Sequence, residues 1–351
     1  MSRTATFKCP SCGGYLEFDP EGQRFLCPYC EASFNEAELR EQSEAKMEEA
    51  EVLPKEELSA DGGLRSYHCQ MCGAEVVTGD TTAATRCYYC HNPIVLSDRL
   101  TDEFRPDGVI PFRLSKEQAE QAFKEYIGSK KFIDEAFFSP QQLEDFSGVY
   151  YPVWYSDVAG EVSFSGQGTK VHTAVHGNER VTTTRIFQVT REAVIRCGNL
   201  VRQALSSNNR KIADGIHPYD MSEVKPFAMG YLSGFLAEKR DVEADAIRGD
   251  VEAEVQRYAQ SAISRNGEYH SLSGNTGFRV TDRRERYVLL PTWVLTYKAR
   301  EGGAPYYYMM NGQTGAVCGR LPLKKSKLLM WCAIVGGAVA AALCLGGAML
   351  W

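Results

Sequence analysis

The phrase "GVYYPVWYSDVAGEVSFSG", residues 148–166, returns later in the chain as "YVLLPTWVLTYKAREGGAPYYY", residues 287–308. Each reads as a strand carrying Pro-x-Trp followed by a second apolar strand, and Pro152 and Trp154 are answered by Pro291 and Trp293. Hairpin material follows both: "SGQG" at 165–168 and "NGQTG" at 311–315. Between the two phrases lie the β-branched run "VTTTRIFQVTREAVI" (181–195) and a helix expected over Val242–Ser264. That helix would turn Ala246, Ile247, Val251, Val255, Tyr258 and Ile263 inward. Strands outnumber helices and follow one another in hairpin order, which predicts a mainly antiparallel α+β domain. The echo points to an internal duplication, and pairing of two similar halves is one arrangement open to it.

Upstream, "LSKEQAEQAFKEYIGSKKF" (114–132) reads as a helix. Ser115 and Gln118 form a capping box, and Ala119, Ala122, Phe123 and Tyr126 supply an apolar stripe that belongs to a core.

Further upstream stand two copies of a cysteine module, "CPSCGGYLEFDPEGQRFLCPYC" (9–30) and "CQMCGAEVVTGDTTAATRCYYC" (69–90). Each is C-x2-C, fourteen residues, C-x2-C. A C-x2-C turn places two thiolates on one knuckle, and two knuckles complete the tetrahedron that Zn²⁺ prefers. Gly13, Gly14 and Gly73 stand where the backbone must turn beneath the metal. Short strand-like stretches and turns such as "DPEGQ" and "TGD" lie between the pairs. The ligand sets are Cys9, Cys12, Cys27 and Cys30, then Cys69, Cys72, Cys87 and Cys90. Two structural zinc ions, each closed in by four cysteines, are expected, while an iron site of rubredoxin type would use the same ligands. Disulfides are not expected, because "MSRTATFKCPSC" holds no apolar signal stretch. A thioredoxin-like motif would need one C-x2-C in a βαβ unit, not four at matched spacing. Ribbons this small depend on the metal to fold. His68 and His91 read as surface or supporting residues, and Cys197, Cys318, Cys332 and Cys344 are scattered singly.

The 351-residue chain has a formal charge of −6, which eight thiolates and two Zn²⁺ would take to about −10. The first ribbon offers only Lys8 and Arg24 as basic residues of note, and the second Arg65, Arg86 and Arg99. Nucleic acid is therefore not the expected partner. The reading of the chain is multidomain: zinc ribbon 1 over 1–34, an acidic, partly helical linker over 35–63, and zinc ribbon 2 over 64–98. A helical connecting region follows over 99–148, the α+β domain over 149–323, and a basic flank with a transmembrane helix over 324–351. The two ribbons are expected to move separately on the linker.

The last expectation rests on Leu328–Trp351, 24 residues without a charge, preceded by Lys324, Lys325 and Lys327. Such a run is long enough to span a bilayer, and the lysines place the N-terminal domains in the cytoplasm. The sequence thus predicts a tail-anchored, single-pass protein of the plasma (inner) membrane, with the bilayer contacted through 328–351. Small residues at Ala338, Ala342 and Gly346 would let helices approach closely.

Reaction machinery is sparse. No G-x4-G-K-[ST], H-E-x-x-H, G-x-S-x-G or G-x-G-x-x-G motif occurs. His172 and His176 lie in a β-branched stretch, where residues four apart are about 13 Å distant, too far to share a metal. "HPYD" (217–220) reads as turn chemistry rather than an acid–base pair. No catalytic residue is assigned, and an enzyme is not expected.

Taken together, the twin ribbons, "TTAATRCYYC", "RPDGVIPF", "GVYYPVWY", "YLSGFLAEK", "YVLLPTWVLTY" and "NGQTGAVCGRLP" resemble the YdjG-like bacterial twin zinc-ribbon membrane proteins. The similarity spans essentially the whole chain. Members are often labelled TFIIB-type zinc ribbon or primosomal helicase-like, and the missing P-loop speaks against the helicase label. The resemblance implies a non-enzymatic membrane component, associated with SPFH-domain proteins and the phage-shock type of envelope-stress response, whose recognisable functional residues are the eight zinc ligands. The resulting expectation is a cytoplasmic scaffold that recruits protein partners. The rival expectations are a membrane-tethered nucleic-acid-binding ribbon and a hydrolase built on the α+β domain.

Overall fold

The computed structural model describes residues 4–5, 8–39, 59–60, 64–69, 72, 74–87, 92–100, 104–130, 132, 146–177, 179–206, 210–264, 268–297, 306–319 and 324–349. Much of the expected acidic linker lies outside them. Strand β1 (Thr4–Ala5) precedes the first ribbon, which contains β2 (Glu17–Asp19), β3 (Arg24–Leu26) and β4 (Ser33–Phe34). The second ribbon region supplies β5 (Ser59–Ala60), β6 (Leu64–His68), β7 (Glu75–Gly79), β8 (Thr82–Arg86) and β9 (Pro93–Leu96). The body follows with β10 (Gly108–Val109), helix α1 (Lys116–Gly128), β11 (Ser147–His176), β12 (Glu179–Gln203) and the short α2 (Arg210–Asp214). Then come β13 (Lys225–Pro226), β14 (Leu236–Glu238), α3 (Ala244–Ser264), β15 (Ser271–Tyr297), β16 (Tyr306–Asn311), β17 (Val317–Gly319) and α4 (Lys325–Met349).

The architecture is mainly one large sheet of 11 strands, with β2–β4 and β5–β7 forming two sheets of three. The two Pro-x-Trp strands lie at its centre and pair antiparallel with each other. Pro291 faces Tyr150 and Pro152 faces Leu289, while Trp293 faces Gly148 and Trp154 faces Tyr287. This register is symmetric: exchanging Pro152 with Pro291 and Trp154 with Trp293 reproduces the same pairs. The flanks obey the same exchange, since β14 pairs parallel with β11 at Val149 and Tyr150, and β10 pairs parallel with β15 at Val288 and Leu289. Each half is a short strand, a helix and a long strand, and the short strand of each half adds to the long strand of the other.

Local sequence explains helices α1 and α3. Ser115 and Gln118 close the expected capping box on α1, whose Ala119, Phe123 and Ile127 are buried. Helix α3 buries the i, i+4 ridge Ile247, Val251, Val255, Ala259 and Ile263. Ala246 and Tyr258, expected inward, are exposed, because both stand off that ridge.

Strands β11, β12 and β15 extend beyond the core as a three-stranded arm. "SGQG" is not a hairpin turn: β11 runs through it to His176, and the chain reverses at Gly177, at φ +61°. Its glycines serve close approach instead. A Cβ on Gly166 would meet Ser273 O at 2.2 Å, and one on Gly168 would meet the Tyr269 ring at 2.6 Å. Helix α3 covers one face of the arm, packing Ala259 and Ile263 with Val162, Phe164, Val189 and Ile195. Arg248 grips the Glu285 carboxylate through three hydrogen bonds of 2.7–3.1 Å, and Arg202 and Arg283 pair with Glu254 and Glu252.

Two expectations are corrected. The first ribbon does not stand apart: Leu16, Phe18, Phe25, Cys9 and Cys27 share one buried cluster with Tyr150, Tyr231, Phe235 and Trp293 of the body. Second, among the described residues no helix is long and apolar enough to cross a membrane. The multidomain fold ending in a C-terminal transmembrane helix is thereby replaced by a mainly β structure. The tail-anchored, single-pass plasma-membrane location falls with that helix.

Candidate metal centres

Four knuckles share one backbone pattern. The N–H of Cys9 donates to Gly14 O, that of Cys27 to Ala32 O at 2.9 Å, that of Cys69 to Ala74 O at 2.8 Å, and that of Cys87 to Asn92 O at 2.9 Å. In the first ribbon each knuckle closes on a left-handed residue just after its second cysteine, Gly13 at φ +76° and Glu31 at φ +58°. Gly14 is required for a different reason: a Cβ there would meet the Tyr29 ring at 2.6 Å. Tyr29 packs edge-on against Tyr15 at 5.2 Å beside the knuckle.

The sulfurs of Cys9, Cys12, Cys27 and Cys30 all lie within 4.8 Å of one another. Cys9 Sγ is 3.6 Å from Cys30 Sγ, and Cys12 Sγ is 3.5 Å from Cys27 Sγ. Four sulfurs on a tetrahedral zinc sit about 3.8 Å apart, so these spacings fit a common ion and are far too long for disulfides. Gly14 N–H points at Cys12 Sγ at 3.4 Å, as suits a thiolate. Packed so closely, the thiols cannot all ionise alone. Burial would raise Cys9, yet the Cys12 and Ser11 N–H groups hold it near 7. Cys30 is pushed up to about 12, because the Ala32 N–H that favours its thiolate is outweighed by the crowding of Cys12 and by burial. A divalent cation removes that conflict.

The second set brings Cys69, Cys72 and Cys87 within the same 4.8 Å limit, with Cys72 and Cys87 sulfurs 3.7 Å apart. Cys90, Gly73 and His91 lie outside the described residues, and so does the side chain of His68. The first cysteine of each knuckle, Cys9, Cys27, Cys69 and Cys87, is buried, whereas Cys12, Cys30 and Cys72 are exposed. Both clusters fit metal, and an all-sulfur donor set is consistent with zinc.

Sequence reasoning missed how the ribbons are anchored. Phe18 contacts Tyr231 edge-on at 5.1 Å, and Phe18 N–H donates to Ser233 O at 3.1 Å. Tyr231 OH reaches Glu36 Oε2 at 2.6 Å. In the second ribbon Arg99 is buried and ties three strands together. It donates to Tyr67 OH at 2.7 Å, to Gly79 O, and to Thr82 O at 2.9 Å. The stretch "YLSGFLAEK" carries no chemical motif, yet its Tyr231, Ser233 and Gly234 form the ribbon's seat.

Between ribbon 1 and the body lies a groove of about 750 Å³, bordered by Glu17, Asp19, Arg86, Lys116, Glu117 and Trp293. Arg86 spans it, 3.6 Å from Glu17 Oε1 and donating to Gly234 O at 2.6 Å.

The other candidates behave as turn and strand chemistry. His172 is exposed on β11. In "HPYD", Tyr219 buries its hydroxyl against Pro291 O at 3.0 Å, and Asp220 Oδ1 accepts from Ser222 N–H at 3.0 Å. Asn311 and Gln313 of the "NGQTG" turn hold that loop, Asn311 Nδ2 donating to Ile216 O at 3.0 Å and Gln313 Oε1 accepting from Asp220 N–H at 2.8 Å.

A Bacillus subtilis (strain 168) protein, YdjG, described as uncharacterized, is 30% identical to this chain over 355 aligned residues, covering 98% of each. The chain belongs to the YdjG family. The YdjG likeness takes in both cysteine modules and the duplicated body together. No family model and no solved structure matches the chain.

Proposed function

We propose that the protein is a non-enzymatic zinc-ribbon adaptor that recruits protein partners, of the SPFH-domain or envelope-stress kind that the YdjG resemblance implies. The observation that carries this reading is the joint between the first ribbon and the body. A four-sulfur sphere has no position left for water or substrate, so its metal serves architecture. That architecture includes a groove whose two walls come from different parts of the chain, and the residues lining it include no histidine. Zinc would therefore set the shape of a binding surface.

The test is affinity capture with the full chain, comparing wild type with Cys27→Ser and Cys30→Ser. Recovery of an SPFH-type or stress-response protein by wild type, and its loss in both variants, is the expected outcome. Absence of any such partner, or equal recovery by the variants, would count against the adaptor reading. Salt-dependent retention of DNA or RNA by the same wild-type protein would favour the nucleic-acid reading instead.

A further inference from the structure

Among the described residues, strand β12 pairs with β11 alone, which leaves its other edge open. Open edges are normally blunted by prolines, bulges or very short strands. None of these interrupts β12 between Glu179 and Arg196, where the register against β11 runs unbroken. Instead the edge carries β-branched and apolar side chains in solvent, with Ile186 at 65% exposure and Val181 at 50%.

The direction of its backbone can be read from the other side of the arm. His270 N–H donates to Thr169 O at 2.8 Å, and Val171 N–H donates to His270 Nδ1 at 3.2 Å. Odd-numbered residues of β11 here therefore direct their backbone toward β15, and Gly168 and Lys170 toward β12. Their partners Phe187 and Arg185 face back. Alternation leaves Thr182, Thr184, Ile186, Gln188 and Thr190 with N–H and C=O groups aimed outward.

We infer that this edge pairs antiparallel with the same edge of a second copy, about a two-fold axis through Ile186. In that register Ile186 meets Ile186, Thr184 meets Gln188, Thr182 meets Thr190, and Arg185 lies against Phe187. Arg180 meets Glu192 of the second copy, twice over by symmetry. Neither Arg180 nor Glu192 has an ion-pair partner among the described residues, and both are exposed. Outward groups must meet outward groups, so the axis moves only in whole residues. Moving it to Arg185 sets that guanidinium against its own copy, and moving it to Phe187 leaves Arg180 opposite Val194. Charge complementarity thus selects Ile186. The two arms then form one continuous sheet of six strands at the junction.

The experiment is sedimentation velocity on the full chain over a concentration series. Wild type is expected to reach twice the chain mass. Arg180→Glu and Glu192→Arg should each raise the dimer dissociation constant about ten-fold or more, and the double reversal should restore it. Ile186→Pro should abolish the dimer with the β11 ladder kept, because the lost N–H points away from β11. A wild-type monomer at high micromolar concentration overturns the inference. So does a dimer that neither single reversal weakens, or weakened singles that the double reversal fails to rescue.

Discussion

Trp154 and Trp293 make the same contact in the two halves of the body. Trp154 Nε1 donates to Val242 O at 2.9 Å and Trp293 Nε1 to Leu114 O at 3.1 Å, in each case the carbonyl two residues before a helix begins. Each indole thus fixes where the helix of the opposite half leaves its strand. Replacing either tryptophan by phenylalanine would orphan a partly buried carbonyl and shrink a ring in the core. Each change is expected to cost about 1–3 kcal/mol, read by chemical denaturation. Near-equal losses would reflect the shared role, and a neutral Trp293→Phe would refute it.

Metal content should be separable by site. Wild type is expected to hold two zinc ions per chain and Cys27→Ser one, by elemental analysis. Because Phe18 and Phe25 lie in the same buried cluster as Tyr231 and Trp293, losing the first ion should unsettle the body as well. A drop in stability on the order of 3–5 kcal/mol is expected. A variant that loses one ion and unfolds like wild type would show the ribbon to be an independent unit.

Tyr219 offers a cleaner test of the turn assignment for "HPYD". Its buried hydroxyl bonds to Pro291 O at 3.0 Å and Thr292 Oγ1 at 3.1 Å, tying the loop to the second Pro-x-Trp strand. Tyr219→Phe should destabilise by about 1–2 kcal/mol with zinc content unchanged. A change in metal loading without a change in stability would contradict this placement.

His217 should give the protein an acid-sensitive limb. Burial lowers its pKa below the ordinary histidine value, with the Asp214 charge opposing in part. The unfolded chain then binds a proton more readily than the folded one, so stability is complete above about pH 6.5 and falls as pH drops toward the folded pKa. Denaturation midpoints of wild type and His217→Gln should therefore converge in slope above that pH and diverge below it, wild type declining more steeply. Parallel profiles would remove His217 as the cause.

The cysteine knuckles, the capping box and the Pro-x-Trp echo were legible because each is a local pattern with one physical use. The pairing of the halves was not, since register belongs to contacts 137 positions apart (Pro152 to Leu289) rather than to neighbours. "SGQG" misled because glycine serves turns and close approach alike, and only Tyr269 and Ser273 decide between them. The terminal run misled in another way. Its lack of charge was evident, yet among the described residues no helix is long and apolar enough to cross a membrane. The ribbon's seat on Tyr231 and Ser233 left no periodic trace in the sequence.

The second ribbon is divided between two sheets. Strands β8 and β9, which flank Cys87, belong to the large sheet, whereas β6 and β7, which flank Cys69 and Cys72, belong to a separate sheet of three. A metal held by Cys69, Cys72 and Cys87 would therefore act as a rivet between two plates. With a metal bound, a load applied to the smaller plate would reach the larger through sulfur–metal bonds and the Arg99 brace, so chelation or oxidation of the thiolates there would loosen a seam while leaving both plates woven.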